Sequence, residues 1–260
     1  MIDPGPRLTV ISGAFGTGKT EIAINLALKL RAEGRDPVTL VDLDIVNLYF
    51  RSRQKAYELE QLGIRVISSV EGMENADLPA LSPEINACFD RKDGPVVFDL
   101  GGSDLGGTVA AYLHRGFASE PSHHWLVVNP YRPFNQTAEA TVEMAERIAT
   151  RARLPITGMI ANPHLINETT PEIIREGLAR VREVTRYPLV YLSVRMMPDI
   201  HPASVTLDPA MKLTLGLCFI PVLMLAAGLT VRAYLANRHQ REQQQKAFAA
   251  DNTSTPTSSR

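Results

Sequence analysis

Short apolar runs alternate with longer segments of helical periodicity along most of the chain. Runs rich in Val, Ile and Leu predict buried strands, and apolar residues spaced three or four positions apart predict helices. The predicted strands cover residues 7–12, 37–44, 64–67, 95–102, 125–129, 156–161 and 189–193. The predicted helices cover residues 21–33, 51–62, 83–90, 107–119, 137–153 and 170–185.

This alternation predicts an α/β fold, in which a Rossmann-like parallel sheet carries helices on both faces. Ligands of such sheets bind at the carboxyl ends of the strands. The polar and glycine residues at the carboxyl ends of the predicted strands therefore form the candidate site: Gly13, Asp42, Asp44, Asp99, Asn129 and Asn162.

Residues 13–20 read Gly-Ala-Phe-Gly-Thr-Gly-Lys-Thr, which fits the phosphate-binding loop (P-loop) pattern G-x-x-x-x-G-K-[ST]. The loop lies between a predicted strand and a predicted helix, as this pattern requires. Backbone N–H groups would hold the phosphates, Lys19 would reach the outer phosphates, and Thr20 would ligate Mg²⁺. The predicted nucleotide-binding residues of the loop are Gly13, Gly16, Thr17, Gly18, Lys19 and Thr20. The alternative is a strand–turn–helix that binds nothing, but it gives the Gly-Lys-Thr sequence no purpose.

Three acids lie at the carboxyl ends of two of the predicted strands. Asp99 follows Val-Val-Phe, where a P-loop protein usually places an acid that serves Mg²⁺. Capping of the next helix is its alternative role. Asp42 and Asp44 are two residues apart, so a strand would put both carboxylates on one face. One would join the magnesium shell and the other would orient an attacking water, with a simple surface pair as the alternative.

The composition limits the partners and the compartment. The chain has 27 basic and 28 acidic residues, so no nucleic-acid surface held by charge is expected. The two cysteines, Cys88 and Cys218, form no metal or disulfide pattern. The N-terminus carries Asp3 and prolines, which do not suit a secretory signal. We therefore expect the nucleotide-binding domain, residues 1–200, to be cytoplasmic.

Residues 213–231 read LTLGLCFIPVLMLAAGLTV, which is 19 residues without charge. This stretch predicts a membrane helix within residues 213–235, through which the protein would contact a membrane. The basic residues after it do not suit a simple tail anchor, because they and the preceding domain would both favour the cytoplasmic side. A last core helix or strand is the alternative, and membrane fractionation of the full chain against one cut at Asp208 separates the two. Residues 201–212 would be a linker and residues 236–260 a disordered tail.

The chain resembles the MinD/ParA/CobQ-type P-loop ATPases of the SIMIBI class. The resemblance covers roughly residues 7–195 and rests on GTGKTEIAINLA at 16–27, VDLD at 41–44 and FDLGG at 98–102. It implies a P-loop NTPase fold with ATP and Mg²⁺ at the loop.

The resemblance also implies roles for individual residues. Lys19 and Asp44 would be catalytic, because the family acid that matches Asp44 positions the hydrolytic water. The magnesium shell would include Thr20, Asp42 and Asp99. The asparagine that reads adenine would be Asn162, with Asn129 as a weaker second candidate.

One position departs from the family pattern. Members that hydrolyse ATP across a sandwich dimer carry a second lysine early in the loop, and Ala14 occupies that position here. We therefore do not expect the mechanism that uses a partner's lysine, nor DNA partitioning or oscillation of the kind found in ParA and MinD. Hydrolysis would be slow or would need a protein partner, and a homodimer stays open. Neither Asn129 nor Asn162 begins an Asn-Lys-x-Asp guanine motif, which favours ATP over GTP.

These residues favour a weak, Mg²⁺-dependent ATPase that acts as a nucleotide switch or accessory factor with an unidentified protein partner. The alternative is an enzyme that uses ATP on a small substrate, as a kinase or a CobQ/dethiobiotin-synthetase-type ligase. Such an enzyme needs a second pocket, for which Arg132 and residues 103–107 are candidate walls. Arg132 would contact a phosphate or a substrate anion, with a solvated loop position as the alternative. A metal-insertion factor is a third interpretation, disfavoured because the sequence has no paired Cys or His ligands.

Overall fold

The computed structural model of the protein describes residues 5–44, 53–68, 82–102, 104–195 and 217–219. Within these ranges the chain alternates between strands and helices. The strands are β1 Leu8–Gly13, β2 Val38–Asp42, β3 Ile64–Ser68, β4 Val96–Asp99, β5 Ser122–Val128, β6 Gly158–Ala161, β7 Leu189–Arg195 and β8 Leu217–Phe219. The α-helices are α1 Lys19–Ala32, α2 Arg53–Gln61, α3 Pro83–Asp90, α4 Asp104–Tyr112, α5 His114–Phe117, α6 Ala138–Ala152 and α7 Pro171–Arg182.

The described strands form one parallel sheet in the order β3-β2-β4-β1-β5-β6-β7-β8. The chain runs toward the β3 edge after β1 and toward the opposite edge after β3. Right-handed crossovers in these two directions place α1 and α2 on one face and α3 to α7 on the other. The predicted parallel α/β sheet with helices on both faces is confirmed.

The order of the strands decides where polar side chains meet. Asp42 at the end of β2 pairs in register with Asp99 at the end of β4, and Asp99 pairs on its other side with Ile11 of β1. The loop that follows β1 therefore shares one edge of the sheet with both acids. At this edge the connection after β1 runs toward β3, whereas the connection after β4 runs toward β5. Ligands of such sheets usually bind where the connections change direction in this way.

Two apolar clusters pack α3 to α7 against one face of the sheet. In the first, the Phe98 ring of β4 stacks on Phe89 of α3 at 5.5 Å between centroids and meets Phe117 edge-on at 5.0 Å. The second joins β5, β6 and β7 to α6 and α7 and also contains Ala14 of the P-loop, which is 5% exposed. The P-loop is therefore attached to the core through Ala14, the position of the second lysine discussed above.

The predicted helix over residues 107–119 is in fact two helices, α4 and α5, and it begins earlier, at Asp104. The N–H groups of Gly116 and Phe117 both bond to the Leu113 carbonyl, which marks the break between the two helices. Leu113 and Phe117 are both buried in the first apolar cluster.

The strand predicted over residues 37–44 ends two residues early, at Asp42. The Asp44 N–H donates a hydrogen bond of 2.9 Å to Asp42 Oδ1, and this bond turns the chain as aspartate side chains commonly do. Asp42 and Asp44 therefore come together through a turn, and not through the shared face of a strand as their spacing predicts.

The C-terminal apolar segment differs from its prediction where the structure describes it. Leu217–Phe219 form β8, which pairs in parallel with β7, although they lie inside the membrane helix predicted over residues 213–235. Pairing with the edge of the sheet satisfies backbone hydrogen-bonding groups, as in the alternative of a last core strand. The rest of that segment, the predicted linker 201–212 and the predicted tail 236–260 lie outside the described residues. Among the residues that are described, no helix has the length and apolar character needed to cross a membrane.

We expect Phe98→Ala to lower the free energy of unfolding by about 3–5 kcal/mol, because its fully buried ring leaves a cavity among the aromatic side chains. Urea denaturation followed by circular dichroism measures the change. Tyr112→Ala is the control, since Tyr112 is 69% exposed and its loss should change stability by less than about 0.5 kcal/mol. Equal losses in the two variants would contradict this description of the core.

Candidate functional site

The loop between β1 and α1 has the backbone of a phosphate cradle. Gly18, the N-cap of α1, has φ 88° and ψ 20°, a left-handed conformation that favours glycine. A Cβ at Gly18 would also lie 2.5 Å from Asn162 Nδ2, so a larger residue does not fit. The helix begins at Lys19 directly after this turn, so its unbonded N–H groups face the loop, as an anion site requires.

Thr17 and Asn162 hold the loop from the side of the core. Thr17 is fully buried, and its hydroxyl donates to the Ala14 carbonyl at 2.8 Å. Asn162 Nδ2 donates to the Thr17 carbonyl at 2.7 Å, and the Asn162 N–H donates to Val128 O at 2.8 Å. Asn162 therefore connects the end of β6 to the loop. Its role as the reader of adenine stays a prediction.

Lys19 and Asp44 form a buried ion pair at the mouth of the loop. Lys19 Nζ lies 3.4 Å from Asp44 Oδ2, and the two side chains are only 5% and 7% exposed. Because water reaches neither charge well, each depends on the other or on a ligand. The structure therefore places the predicted phosphate-binding cation beside the predicted water-positioning acid.

Thr20 and Asp99 form the second polar contact of the site. Thr20 Oγ1 donates to Asp99 Oδ2 at 2.6 Å. Asp99 is completely buried, and its other oxygen, Oδ1, has no hydrogen-bond partner among the described residues. Burial raises the pKa of Asp99 to about 6, although Lys19 and Thr20 act in the opposite direction. A buried carboxylate oxygen without a partner, next to a threonine hydroxyl, fits the oxygen ligands that Mg²⁺ prefers.

Asp42 completes the acidic cluster. Burial raises its pKa to about 8, and the neighbouring Asp99 carboxylate adds to the rise. Three carboxylates thus lie close to the Lys19 ammonium. Within the described part of the chain, no three or more His, Cys, Asp or Glu side chains are arranged to hold a metal by themselves. A magnesium ion held by Thr20, Asp42 or Asp99 would therefore also take oxygen atoms from the nucleotide and from water.

Gly101 and Gly102 carry the turn after β4 against the P-loop. A Cβ at Gly102 would lie 2.3 Å from Gly13 O, and a Cβ at Gly101 would lie 2.9 Å from Asp44 Oδ1. Only glycine permits both approaches. A displacement of the loop would therefore reach this turn directly.

Asn129, the second candidate for the adenine contact, joins two connections at the same edge. Its Nδ2 donates to His164 O at 3.0 Å, and its Oδ1 accepts from the Tyr131 N–H at 3.1 Å. Both ends of the buried amide are thus used within the protein. Asn129 fixes the connections that follow β5 and β6.

Two histidines outside the sequence motifs lie close to the loop or to the strand that leads into it. His164 Nε2 would lie 3.5 Å from a Cβ at Gly18, and its place just after β6 was the signal that could have identified it. His124 is buried in β5, where Ser12 Oγ donates to its Nε2 at 2.8 Å and its Nδ1 donates to Leu154 O at 3.1 Å. Burial lowers the pKa of His124 to about 4, so this neutral ring ties β5 to the end of β1 that leads into the loop.

Two cavities differ in their distance from this chemistry. The larger, about 460 Å³, lies at the amino-terminal edge of the sheet beside Arg7 and Trp125, remote from the loop. The smaller, about 240 Å³, adjoins the P-loop and is lined in part by Ala14, Gly101 and Gly107. Gly107 belongs to the segment 103–107 that the sequence predicted as a pocket wall. Arg132 was the other predicted wall, and it does not line this cavity.

We expect the stability of the nucleotide- and metal-free protein to fall as the pH rises from about 5 to about 8. The unfolded chain ionises Asp42 near its ordinary pKa of 3.8, whereas the folded protein keeps the proton up to about pH 8. The folded state therefore binds more protons in this window, and one such group lowers the free energy of unfolding by at most about 1.4 kcal/mol per pH unit. Asp42→Asn should flatten the pH dependence measured by urea denaturation.

Asp36→Asn is the control for this measurement, because the Asp36 side chain is 60% exposed. It should leave the pH dependence unchanged. If Asp42→Asn retains the full pH slope of the natural sequence, Asp42 does not carry the buried proton.

Several FtsY proteins of solved structure have a similar fold. The cell division protein FtsY of Thermotoga maritima matches with TM-score 0.51 and 24% identity over 74% of this chain and 63% of its own. The chloroplast FtsY of Physcomitrella patens matches with TM-score 0.52 and 16% identity, over 78% of this chain and 64% of its own. The signal recognition particle receptor FtsY of Elizabethkingia anophelis matches with TM-score 0.50 and 16% identity over 74% and 60%. This chain spans less than two thirds of each, and at these identities the likeness shows the fold alone.

Sequence comparison identifies the family. No curated protein sequence matches the chain significantly. The family profile described as the CobQ/CobB/MinD/ParA nucleotide binding domain matches residues 8–199, which include the P-loop and all three acids. The family that the sequence motifs indicate is thereby confirmed. The chain belongs to the CobQ/CobB/MinD/ParA family of nucleotide-binding P-loop proteins.

Proposed function

We propose that the protein binds ATP with Mg²⁺ and hydrolyses it slowly, as a nucleotide switch or accessory factor. The observation that carries this proposal is the buried constellation at the loop. A lysine and a threonine at the start of α1 each contact a different aspartate from a neighbouring strand end. Burial raises the pKa of Asp42 and Asp99 beside the cation Lys19. Bound Mg²⁺ would supply positive charge to these acids, and Lys19 with the N–H groups at the start of α1 would hold the negatively charged phosphates.

Lys19 has a partner to exchange when a nucleotide binds. In the structure its ammonium lies 3.4 Å from the Asp44 carboxylate. A terminal phosphate would compete for the same ammonium, because a phosphate carries more negative charge than one carboxylate. Asp44 would then be free to accept a hydrogen bond from water. The exchange thus couples the filling of the site to the release of the residue that orients the attacking water.

Asp44 and the residues that would hold Mg²⁺ supply the remaining groups that hydrolysis needs. Water oriented by Asp44 attacks the γ-phosphorus, the bond from that phosphorus to the β–γ bridging oxygen breaks, and ADP leaves with that electron pair. The two protons of the water leave with the inorganic phosphate that forms. Asp44 accepts the hydrogen bond from the water and holds it in line. Bound Mg²⁺ supplies positive charge at the phosphates, and Thr20, Asp99 and Asp42 are the residues that would hold it.

ATP is the proposed nucleotide, because neither asparagine at this edge belongs to a guanine motif. Asn129 is followed by Pro130 and Asn162 by Pro163, so the lysine and aspartate of Asn-Lys-x-Asp are absent after both. GTP is therefore the comparison ligand in every binding experiment. Equal affinity for the two nucleotides would remove the proposed base preference and leave the phosphate site intact.

The presence of Ala14 bears on whether a second copy of the chain could stimulate hydrolysis. The residue at the position of the second lysine is buried in the core and carries no charge. A second copy of the chain could therefore not complete the site with a lysine from this position. We propose that stimulation of turnover comes from a different protein partner, so self-association alone should leave turnover slow.

A second candidate function has one observation in its favour. The cavity of about 240 Å³ beside the loop is large enough for part of a small substrate, as a kinase or ligase would need. Turnover of ATP that strictly requires an added small molecule favours that alternative. Turnover without one favours the switch.

We expect Lys19→Ala to weaken ATP binding by at least about a hundredfold, or about 2.7 kcal/mol, because the buried ammonium is the main cation of the loop. Isothermal titration calorimetry with MgATP measures the loss. Lys29→Ala is the matched control on the same helix, since Lys29 pairs with Glu33 at the surface and should bind ATP normally. If Lys19→Ala binds MgATP as tightly as the natural sequence, the assignment of the nucleotide site to the P-loop is wrong.

We expect Asp44→Ala to bind ATP at least as tightly as the natural sequence, because it removes the carboxylate that competes for Lys19. It should slow turnover by at least about a hundredfold, the usual scale for loss of a positioned acid–base group. Phosphate release at saturating MgATP measures turnover. Asp36→Ala is the control, because Asp36 pairs with Arg31 at the surface. If turnover of Asp44→Ala equals that of the control, another residue positions the water.

A further inference from the structure

We propose that Arg132 is a second phosphate-binding cation of this site, supplied by the same chain that carries the P-loop. The proposal rests on the proposed function, since it assigns Arg132 to the nucleotide of that site. It adds a residue that lies outside the loop motif and the acids.

The backbone at Arg132 is fixed from both sides. Its N–H donates to Asn129 O at 3.0 Å, and its carbonyl accepts from the Asn135 N–H at 3.2 Å. Asn129 and Asn135 are both buried, and Asn129 is bonded to the connection after β6. Arg132 is therefore held on a turn anchored at the carboxyl edge of the sheet, where the nucleotide would bind.

The side chain of Arg132 runs along the P-loop. A Cβ at Gly16 would lie 3.8 Å from Arg132 Nε and 3.9 Å from Arg132 Cδ, which is ordinary van der Waals contact. Gly16 itself is exposed and has φ 76°, a left-handed conformation that favours glycine. The guanidinium thus lies beside the middle of the segment whose N–H groups would hold phosphate.

The charge of Arg132 is not compensated within the described part of the chain. Its Nε is buried and has no hydrogen-bond partner there. No described carboxylate forms an ion pair with it, whereas Arg7 pairs with Glu120 and Arg65 pairs with Glu84. A buried donor without an acceptor is rare in proteins and calls for a ligand or another explanation. An anion at the P-loop provides that acceptor.

The chemistry of arginine suits this role. A guanidinium stays charged and presents several N–H donors in one plane, which matches the oxygen atoms of a phosphate group. The loop itself offers Lys19, which already faces Asp44. One further cation would therefore offset charge that Lys19 and Mg²⁺ leave on a triphosphate.

The proposal also gives a reason for the residue at position 14. Family members with a lysine there bring a cation to a nucleotide from a partner copy, and this chain has Ala14 buried in the core. Arg132 approaches the same short loop from its own chain, at Gly16. A single copy of this protein could then supply both cations, so the contribution of Arg132 should not depend on protein concentration.

Calorimetry with the full chain tests the proposal. MgATP is titrated into the natural sequence, Arg132→Ala, Arg132→Lys and Arg186→Ala. We expect Arg132→Ala to weaken ATP binding roughly tenfold, as for the loss of one charge-assisted hydrogen bond. Arg132→Lys should recover most of that loss because it restores the charge. Arg186→Ala removes a positive charge that pairs with Glu146 at the surface, and it should bind ATP normally.

Two further readouts separate a contact with phosphate from a structural role. The difference in affinity between the natural sequence and Arg132→Ala should shrink as salt is raised, since salt screens the contribution of one charge. The thermal midpoint of the nucleotide-free protein should be the same for both. A lower midpoint in Arg132→Ala together with no recovery in Arg132→Lys would overturn the proposal in favour of a structural residue.

The outcomes also separate this proposal from the proposed function. If the natural sequence binds ATP and Arg132→Ala binds it equally well, the role of Arg132 is wrong and the nucleotide site stands. If the natural sequence does not bind ATP, the proposed function fails, and the role of Arg132 fails with it.

Discussion

The buried pair of Lys19 and Asp44 is the interaction on which the rest of the site depends. It exists because a parallel sheet brings the start of α1 and the ends of β2 and β4 to one edge. Asp42 and Asp99 lie beside it, and burial raises the pKa of both. With Lys19 as its cation, the site therefore favours the protonated forms of Asp42 and Asp99. The Mg²⁺ that accompanies a nucleotide would supply the positive charge that their ionised forms need.

Sequence alone predicted the sheet, nearly all the helix positions and the composition of the loop, because these follow from local apolar patterns and glycine geometry. It failed where tertiary packing decides. The early end of β2 depends on the turn between Asp42 and Asp44. Pairing of Leu217–Phe219 with β7 likewise needs a strand edge that is distant in sequence.

The hydrogen bonds that hold the surroundings of the P-loop in place were the least predictable part of the site. Asn129, Asn162 and His124 were visible in the sequence, but their hydrogen bonds join residues more than 25 positions apart and follow no motif. These buried groups hold the loop from the core side. Ala14 attaches the loop to the same core, and Arg132 lies beside the loop at Gly16. The protein thus combines a rigid loop with an uncompensated cation beside it.

A crystal structure of the protein grown with a non-hydrolysable ATP analogue and Mg²⁺ tests the account most directly. The account predicts that Lys19 Nζ leaves Asp44 for a phosphate oxygen, that the metal lies at Thr20 and Asp99, and that the Arg132 guanidinium contacts phosphate. An analogue bound elsewhere, or a loop without phosphate in which Lys19 still faces Asp44, would contradict it.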